Sequence, residues 1–284
     1  MHLRSIGLTA LLGLLLAAVP SYAQLVAAKD APVAYGHHHI NATNVAADTK
    51  FFADALGGTT MTKAGRTIVK VHNALILIRE QKPTGGTKGT SVDHLGFSVP
   101  SLKATLDKVK ANGFRVVTKE EASSAWTVKD DIATMAGRDL AIAFVMGPDD
   151  LKVELVEAKG QKEPIANHHL HFASPQDTEM QAWYIKVFGA SNGAPGAPVL
   201  SAAMPGVNLA FNKTAGPVAG TQGRAVDHIG FEIKNLPAFL KKVEAMGIKP
   251  TNVRDVPEMD VSIGFITDPW GTYIELTEGL VKIQ

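Results

Sequence analysis

The chain has 284 residues, no cysteine, and 28 basic against 27 acidic residues. A near-neutral chain with scattered basic residues has no long-range pull on nucleic acid or an anionic membrane, which excludes those partner classes. Without cysteine there are neither disulfides nor thiolate ligands, so any metal centre must be built from nitrogen and oxygen.

The N-terminus comes first. Arg4, an apolar Ala-Leu-rich run from Ile6 to Val19, and Ser21-Tyr22-Ala23 before Gln24 have the form of a secretory signal peptide over residues 1–23. That run is shorter than a normal span, and no other segment is long and apolar enough to cross a bilayer. The expected product is periplasmic or secreted, with no stable membrane insertion after cleavage. Residues 24–36 read as a flexible leader, and the remainder suffices for two domains.

From His37 the chain reads as four related modules. The first, residues 37–82, opens with the strand-like HHHINATN, continues through a helix over about 47–56 that stops at Gly57-Gly58, and closes with the strands TIVKVH and ALILIRE. QKPTGGTKGTS is a linker by composition. Module two, residues 92–158, begins VDHLGF. Its Leu102, Leu106 and Val109 lie on one helical face, Gly113 stops the helix, and AIAFVMGPDDLKVELVE supplies two strands around a turn. Between about Glu120 and Asp139 it carries extra residues, around Trp126, that the fourth module lacks, a lid or a surface excursion.

A short polar junction, Gly160–Pro164, leads to module three, residues 167–213. His169 and HLHFASP match His37 and HHINATN, and Trp183-Tyr184 fall on Phe51-Phe52, a pair that reads as helix-packing aromatics. SNGAPGAPV is a loop by composition. Module four, residues 226–280, begins VDHIGF and repeats module two without a gap: Leu236, Leu240, Val243 and Gly247 match Leu102, Leu106, Val109 and Gly113. It closes with SIGFITDPWGTYIELTE, in which Pro269 and Gly271 make the turn.

The paired module starts and the FITDPWGTYIEL ending resemble the vicinal oxygen chelate superfamily, which includes glyoxalases, extradiol dioxygenases and bleomycin-resistance-type binding proteins. The resemblance implies an α+β fold of four tandem βαβββ modules, paired one with two and three with four into two open-barrel domains, residues 37–160 and 165–280. It also implies metal ligands from the first strand of each module and the last strand of the even ones. Matched residue by residue, these are His37, His94 and Glu154 in the first half and His169, His228 and Glu275 in the second. Two imidazoles and a carboxylate hold a divalent metal and leave positions open, which favours Fe(II) and also suits Mn, Zn, Ni or Co.

Residues two apart on a strand share a face. His39 and His171 are therefore candidates for proton transfer, and Tyr273 shares the face of Glu275. Glu157 and Glu278 fall on the other face and read as solvent-facing charges. The second carboxylate that glyoxalase I enzymes take from the last strand of the odd modules has no acid at its place in ALILIRE or VNLAFNK. The implied function is an exported metal-dependent enzyme, extradiol dioxygenase-like or a glyoxalase-like lyase or isomerase, acting on a small molecule with vicinal oxygens. The alternative is a non-catalytic protein of the bleomycin-resistance type that sequesters a small molecule.

Overall fold

A computed structural model describes residues 25, 28–29, 31–193 and 199–283; the signal-peptide reading and part of the SNGAPGAPV loop lie outside them. The strands run β1 Val33–Ala42, β2 Thr59–Lys63, β3 Arg66–Val71 and β4 Ala74–Glu80 in module one. Module two holds β5 Val92–Val99, β6 Arg115–Val116, β7 Thr127–Lys129, β8 Ile132–Thr134, β9 Ala141–Met146 and β10 Lys152–Glu157. Module three has β11 Ala166–Ser174, β12 Ser191–Asn192, β13 Leu200–Met204 and β14 Val207–Lys213. Module four has β15 Val226–Ile233, β16 Thr251–Val256, β17 Val261–Thr267 and β18 Tyr273–Glu278. The helices are α1 Val45–Lys50, running into a π-helical turn Phe51–Ala55, α2 Leu102–Ala111, the short α3 Thr118–Glu121, α4 Asp177–Phe188 and α5 Leu236–Ala245. No helix among the described residues is long and apolar enough to cross a membrane.

These strands form two open mixed sheets. One has the order β16-β17-β18-β15-β1-β4-β3-β2; the other runs β12-β13-β14-β11-β5-β10-β9-β8-β7, with β6 also on β9. The βαβββ modules are thus present, but their pairing differs from the sequence expectation. Module one joins module four through the antiparallel β1–β15 pair, and module two joins module three through β5–β11. Around each central pair the arrangement repeats: β4 lies parallel to β1 and β18 to β15, β14 parallel to β11 and β10 to β5. A physical reason lies in the linkers. The peptide between β10 and β11 is the shortest of the three junctions, and a short connection holds sequential strands in one sheet.

The helices and the inner sheet faces make one continuous core. Phe51, Phe52, Leu102, Leu106, Tyr184 and Phe239 from the helices pack with strand residues of both sheets. Even polar His38 of β1 turns inward. Its Nδ1 lies 2.6 Å from the Tyr35 hydroxyl and its Nε2 3.0 Å from Asn167 Oδ1 of the other sheet, which satisfies a fully buried ring. Burial lowers its pKa to about 3, so it is neutral at physiological pH. His37 and His39, which alternate with it on β1, face the opposite way, where one candidate site lies, and on β11 His169 and His171 alternate likewise with the core residue Leu170.

Three expectations change in detail. Residues 33–36, read as part of a flexible leader, form the buried start of β1, paired with β15. Glu157 and Glu278 are not idle solvent-facing charges: Glu157 Oε1 accepts from Leu102 N at 3.0 Å and Glu278 Oε2 from Leu236 N at 2.8 Å, capping α2 and α5. The extra residues of module two form α3, β7 and β8. They lengthen the sheet beside β9 and pack Trp126 near Phe144. Trp183 and Tyr184 do pack in the helix layer, and the Tyr184 hydroxyl donates to Asp268 at 3.0 Å.

Candidate metal centres

Two groups of four buried side chains result from this pairing: His37, His39, His228 and Glu275 in one sheet, and His94, Glu154, His169 and His171 in the other. In each group one ligand atom from every residue lies within 4.8 Å of the others. All six residues expected as ligands, and His39 and His171 as well, are therefore in clusters, but the first-strand histidines have changed places. His169 does not meet His228 and Glu275; it meets His94 and Glu154. His37 takes its place beside His228 and Glu275. The donor types are conserved because His37 and His169 are equivalent positions of a repeat.

The register of the central strands builds each group. His37 lies opposite Gly230 and His39 opposite His228, while in the other sheet His169 lies opposite Gly96 and His171 opposite His94. Both first strands carry bulges just before and just after this His-x-His segment, at matching positions. A bulge re-aims side chains locally. The glycine of each DHxGF motif is needed for space. A Cβ on Gly230 would sit 2.6 Å from His37 Nε2, and one on Gly96 2.5 Å from His169 Nε2, with other atoms of each ring closer still.

In the first cluster His228 Nε2 is 3.0 Å and His37 Nε2 3.7 Å from Glu275 Oε2, and Thr277 Oγ1 donates to Glu275 Oε1 at 2.8 Å. The other His228 nitrogen, Nδ1, is 2.7 Å from Asp227 Oδ2. Asp227 is held by Asn41 Nδ2 at 3.0 Å and Gly223 N at 2.8 Å. This carboxylate fixes the ring so that Nε2 faces the cluster, the usual orienting device of a ligating histidine. Sequence reading left Asp227 and Asp93 without a role, although the aspartate before the histidine is part of both motif copies.

The electrostatics suit a cation. Burial raises the Glu275 carboxyl, but the His37 and His228 imidazoles and Thr277 outweigh it and hold it at about 2. Burial lowers His37 to about 4 against the pull of Glu275, so at neutral pH the acid is ionised and His37 neutral, as metal ligands must be. His228 moves upward: burial opposes its charge, and its bonds to Asp227 and Glu275 prevail. Without a cation, only a proton on Nε2 lets that ring face Glu275. Among the described residues neither ring nitrogen of His37 or of His39, all buried, has a hydrogen-bond partner. Such orphaned groups are costly, at about 1–3 kcal/mol each, and an ion among them would satisfy one nitrogen of each ring. The residues present therefore fit a divalent metal.

The second cluster repeats the donors in a different setting. His94 Nε2 lies 2.9 Å and His169 Nε2 3.5 Å from Glu154 Oε2, and His94 Nδ1 is 2.7 Å from Asp93. Burial and the neighbouring His94 and His169 lower His171 to about 3, against the pull of Glu154 and Asn212. Here Lys152 replaces Tyr273. Its ammonium, 2.5 Å from Asp93 Oδ1 and 3.2 Å from Glu121 Oε2, ties the insertion across this side, and Lys88 continues the chain at 2.6 Å from Glu121.

The first cluster opens on a cavity of about 250 Å³ that His39, His228 and Glu275 line together with Phe265 and Leu77. Tyr273 stacks on Phe265 with ring centres 4.7 Å apart and accepts from Asn252 Nδ2 at 3.3 Å. It is a wall of the adjoining cavity, of about 490 Å³. Leu77 lies beside His39 on β4, so that strand presents no acid to the cluster at this position.

Neither a protein-family model nor a curated protein matches the sequence. Solved structures do match in fold. Glyoxalase I from Zea mays aligns over 88% of this chain and 94% of its own at 15% identity, with a TM-score of 0.64. A point mutant of that enzyme gives 91% and 97% coverage at 15% identity, TM-score 0.66. A proposed dioxygenase from Bacillus subtilis aligns over 87% of this chain and 86% of its own at 14% identity, with a TM-score of 0.61. The structure thus bears out the repeated βαβββ modules that the resemblance implied, but in open mixed sheets, and the chain shares the fold of these glyoxalase I and dioxygenase-like structures.

Proposed function

We propose that the chain is an exported, periplasmic or secreted, metal-dependent enzyme of the vicinal oxygen chelate type that acts on a small molecule with two adjacent oxygens. The observation that carries this reading is the set of four buried, unpartnered imidazole nitrogens of His37 and His39 around the ionised Glu275. His37, His228 and Glu275 would hold the ion; Fe(II) suits this donor set best, and Mn, Zn, Ni or Co fit it too. When bound, a divalent metal polarises a substrate oxygen and stabilises the negative charge that develops there.

The protein's own groups do the rest. His39 lies over His228 with ring centres 4.4 Å apart, faces the cavity, and is neutral because burial lowers its pKa. It is placed to take a proton from the substrate carbon or hydroxyl and return it. Phe265 and Tyr273 give the substrate a flat wall, and Asp227 keeps His228 aimed. The His94, Glu154, His169 and His171 group holds a second ion under the Lys152 chain, with His171 in the place of His39.

Elemental analysis of protein purified without a tag tests the reading. It should show a stoichiometric divalent metal that drops by one equivalent in a His228→Ala, Glu275→Ala double variant. Metal-free protein that still captures a small aromatic compound would replace the enzyme with the sequestering protein of the bleomycin-resistance type.

A further inference from the structure

The mouth of the first cluster's cavity carries a charge pattern that the metal does not explain. Arg79, on β4, and Arg254, on β16, line both adjoining cavities, as do His228 and Phe265. Arg79 is held in place rather than free: its Nε and Nη2 donate to Asn41 Oδ1 at 3.1 and 2.6 Å, and Nη2 is 3.5 Å from Asp227 Oδ1. Among the described residues the Arg254 side chain donates to one group, the carbonyl of Asn252, at 3.1 Å. The single acid on the outer cavity's wall, Asp227, already accepts from Asn41, Gly223 and His228. Its remaining wall is amide and aromatic: Gln81, Gln222, Asn252, Phe265 and Tyr273.

A positioned guanidinium beside a second one, above a flat apolar wall, is a receptor for a planar anion. On the inner cavity's wall Arg66 is paired with Glu258 at 3.8 Å, while Asp255, which accepts from Ser262 Oγ at 2.6 Å, and Glu275 are acids that turn a carboxylate back towards the arginines. The second cluster lacks the device. By register Asn212 stands where Arg79 does, and Lys152 is spent on Asp93 and Glu121.

We propose that the first cluster's cavity selects a small substrate bearing a carboxylate in addition to its vicinal oxygens, the carboxylate being held by Arg79 and Arg254 while the oxygens reach His228 and Glu275. This rests on the metal reading of that cluster for the oxygen end only; the anion end stands on the arginines.

The test compares two probes that differ in one group, 3,4-dihydroxybenzoate and 1,2-dihydroxybenzene. Each is titrated calorimetrically, without oxygen, into the full mature chain, both metal-free and zinc-loaded. The carboxylate probe should bind about tenfold or more tighter, with an advantage that shrinks as salt is added. Arg254→Gln, which touches none of the groups that orient His228, should reduce that advantage to about threefold or less, and Arg79→Gln should do the same. Equal affinities, tighter binding of the uncharged probe, no binding of either, or an advantage that survives Arg254→Gln overturns the proposal. Failure of the metal reading shows separately, as affinities that zinc loading leaves unchanged while the carboxylate advantage persists.

Discussion

Alanine at Gly230 should remove His37 from the first cluster and leave the second intact. A Cβ there would sit 2.6 Å from Nε2 of the His37 ring, with two more ring atoms nearer. Nonbonded carbon and nitrogen need about 3.5 Å, so the fully buried ring must move by about 1 Å or more. Metal sites tolerate about 0.2 Å of ligand displacement. Losing a ligand should therefore weaken binding at least as much as losing an outer partner does, about 100-fold. The overpacking itself costs about 1–3 kcal/mol of stability, which the large core can absorb.

The assay is a competitive titration of Co(II) into metal-free protein, reading the two sites by absorbance. Gly230→Ala should retain one tight equivalent, Gly96→Ala the other, and a Gly230→Ala, Glu275→Gln double variant still one. If the double variant lost both equivalents, His37 and Glu275 would belong to different ions and the observed strand pairing would not govern the chemistry. Full loading of Gly230→Ala would show that the glycine is not there to make room.

Other perturbations have equally definite outcomes. Metal uptake should release protons and weaken as pH falls, because the apo protein holds His228 above its ordinary pKa; calorimetry in buffers of different ionisation enthalpy measures the release, and uptake without release would contradict the geometry. Asp48 of α1 is 1% exposed with both oxygens unpartnered, and burial and the charge of Asp149 raise it from 3.8 to about 7. The folded state binds this proton more tightly than the unfolded one. The associated stability is complete below pH 3.8 and is lost as pH rises towards 7, at about 1.4 kcal/mol per pH unit, or about 4 kcal/mol in all. Asp48→Met should abolish that decline, so urea unfolding at pH 4 and 8 should show the variant gaining on the parent at the higher pH; parallel pH profiles would refute the assignment. Loss of either helix cap, by Glu157→Ala or Glu278→Ala, should cost about 0.5–2 kcal/mol in thermal or urea unfolding without changing metal stoichiometry.

Much of this was legible because it repeats. Two copies of DHxGF, each followed by the same helical spacing, define the modules without any structure, and the helix position eleven after each first-strand histidine shows why local exceptions stand out. That position is Thr105, Met180 and Phe239 in modules two, three and four, all buried, and Asp48 in module one. Module pairing was less legible. A repeat fixes which residues are equivalent, but equivalent strands compete on equal terms for the same partner, and the choice depends on linker reach and on packing between segments far apart in sequence. The one local trace was the glycine after each DH pair. It lies within a strand, where glycine marks a close approach, yet the approaching group was a histidine from a distant module.

That ambiguity explains why the expected and the observed pairing gather the same donor types. Exchanging His37 for His169 swaps one imidazole for another at the same strand position, so each cluster keeps its donor types whichever way the modules pair. The surroundings do not exchange in this way, because they come from positions where the repeats have diverged. Tyr273 against Lys152 and Arg79 against Asn212 give one cluster an open, arginine-flanked cavity. The other lies beneath a chain of ion pairs from Asp93 through Lys152 and Glu121 to Lys88. The repeated donors would set metal affinity and the diverged surroundings the kind of substrate admitted. The two centres should therefore bind similar ions but admit substrates of different charge.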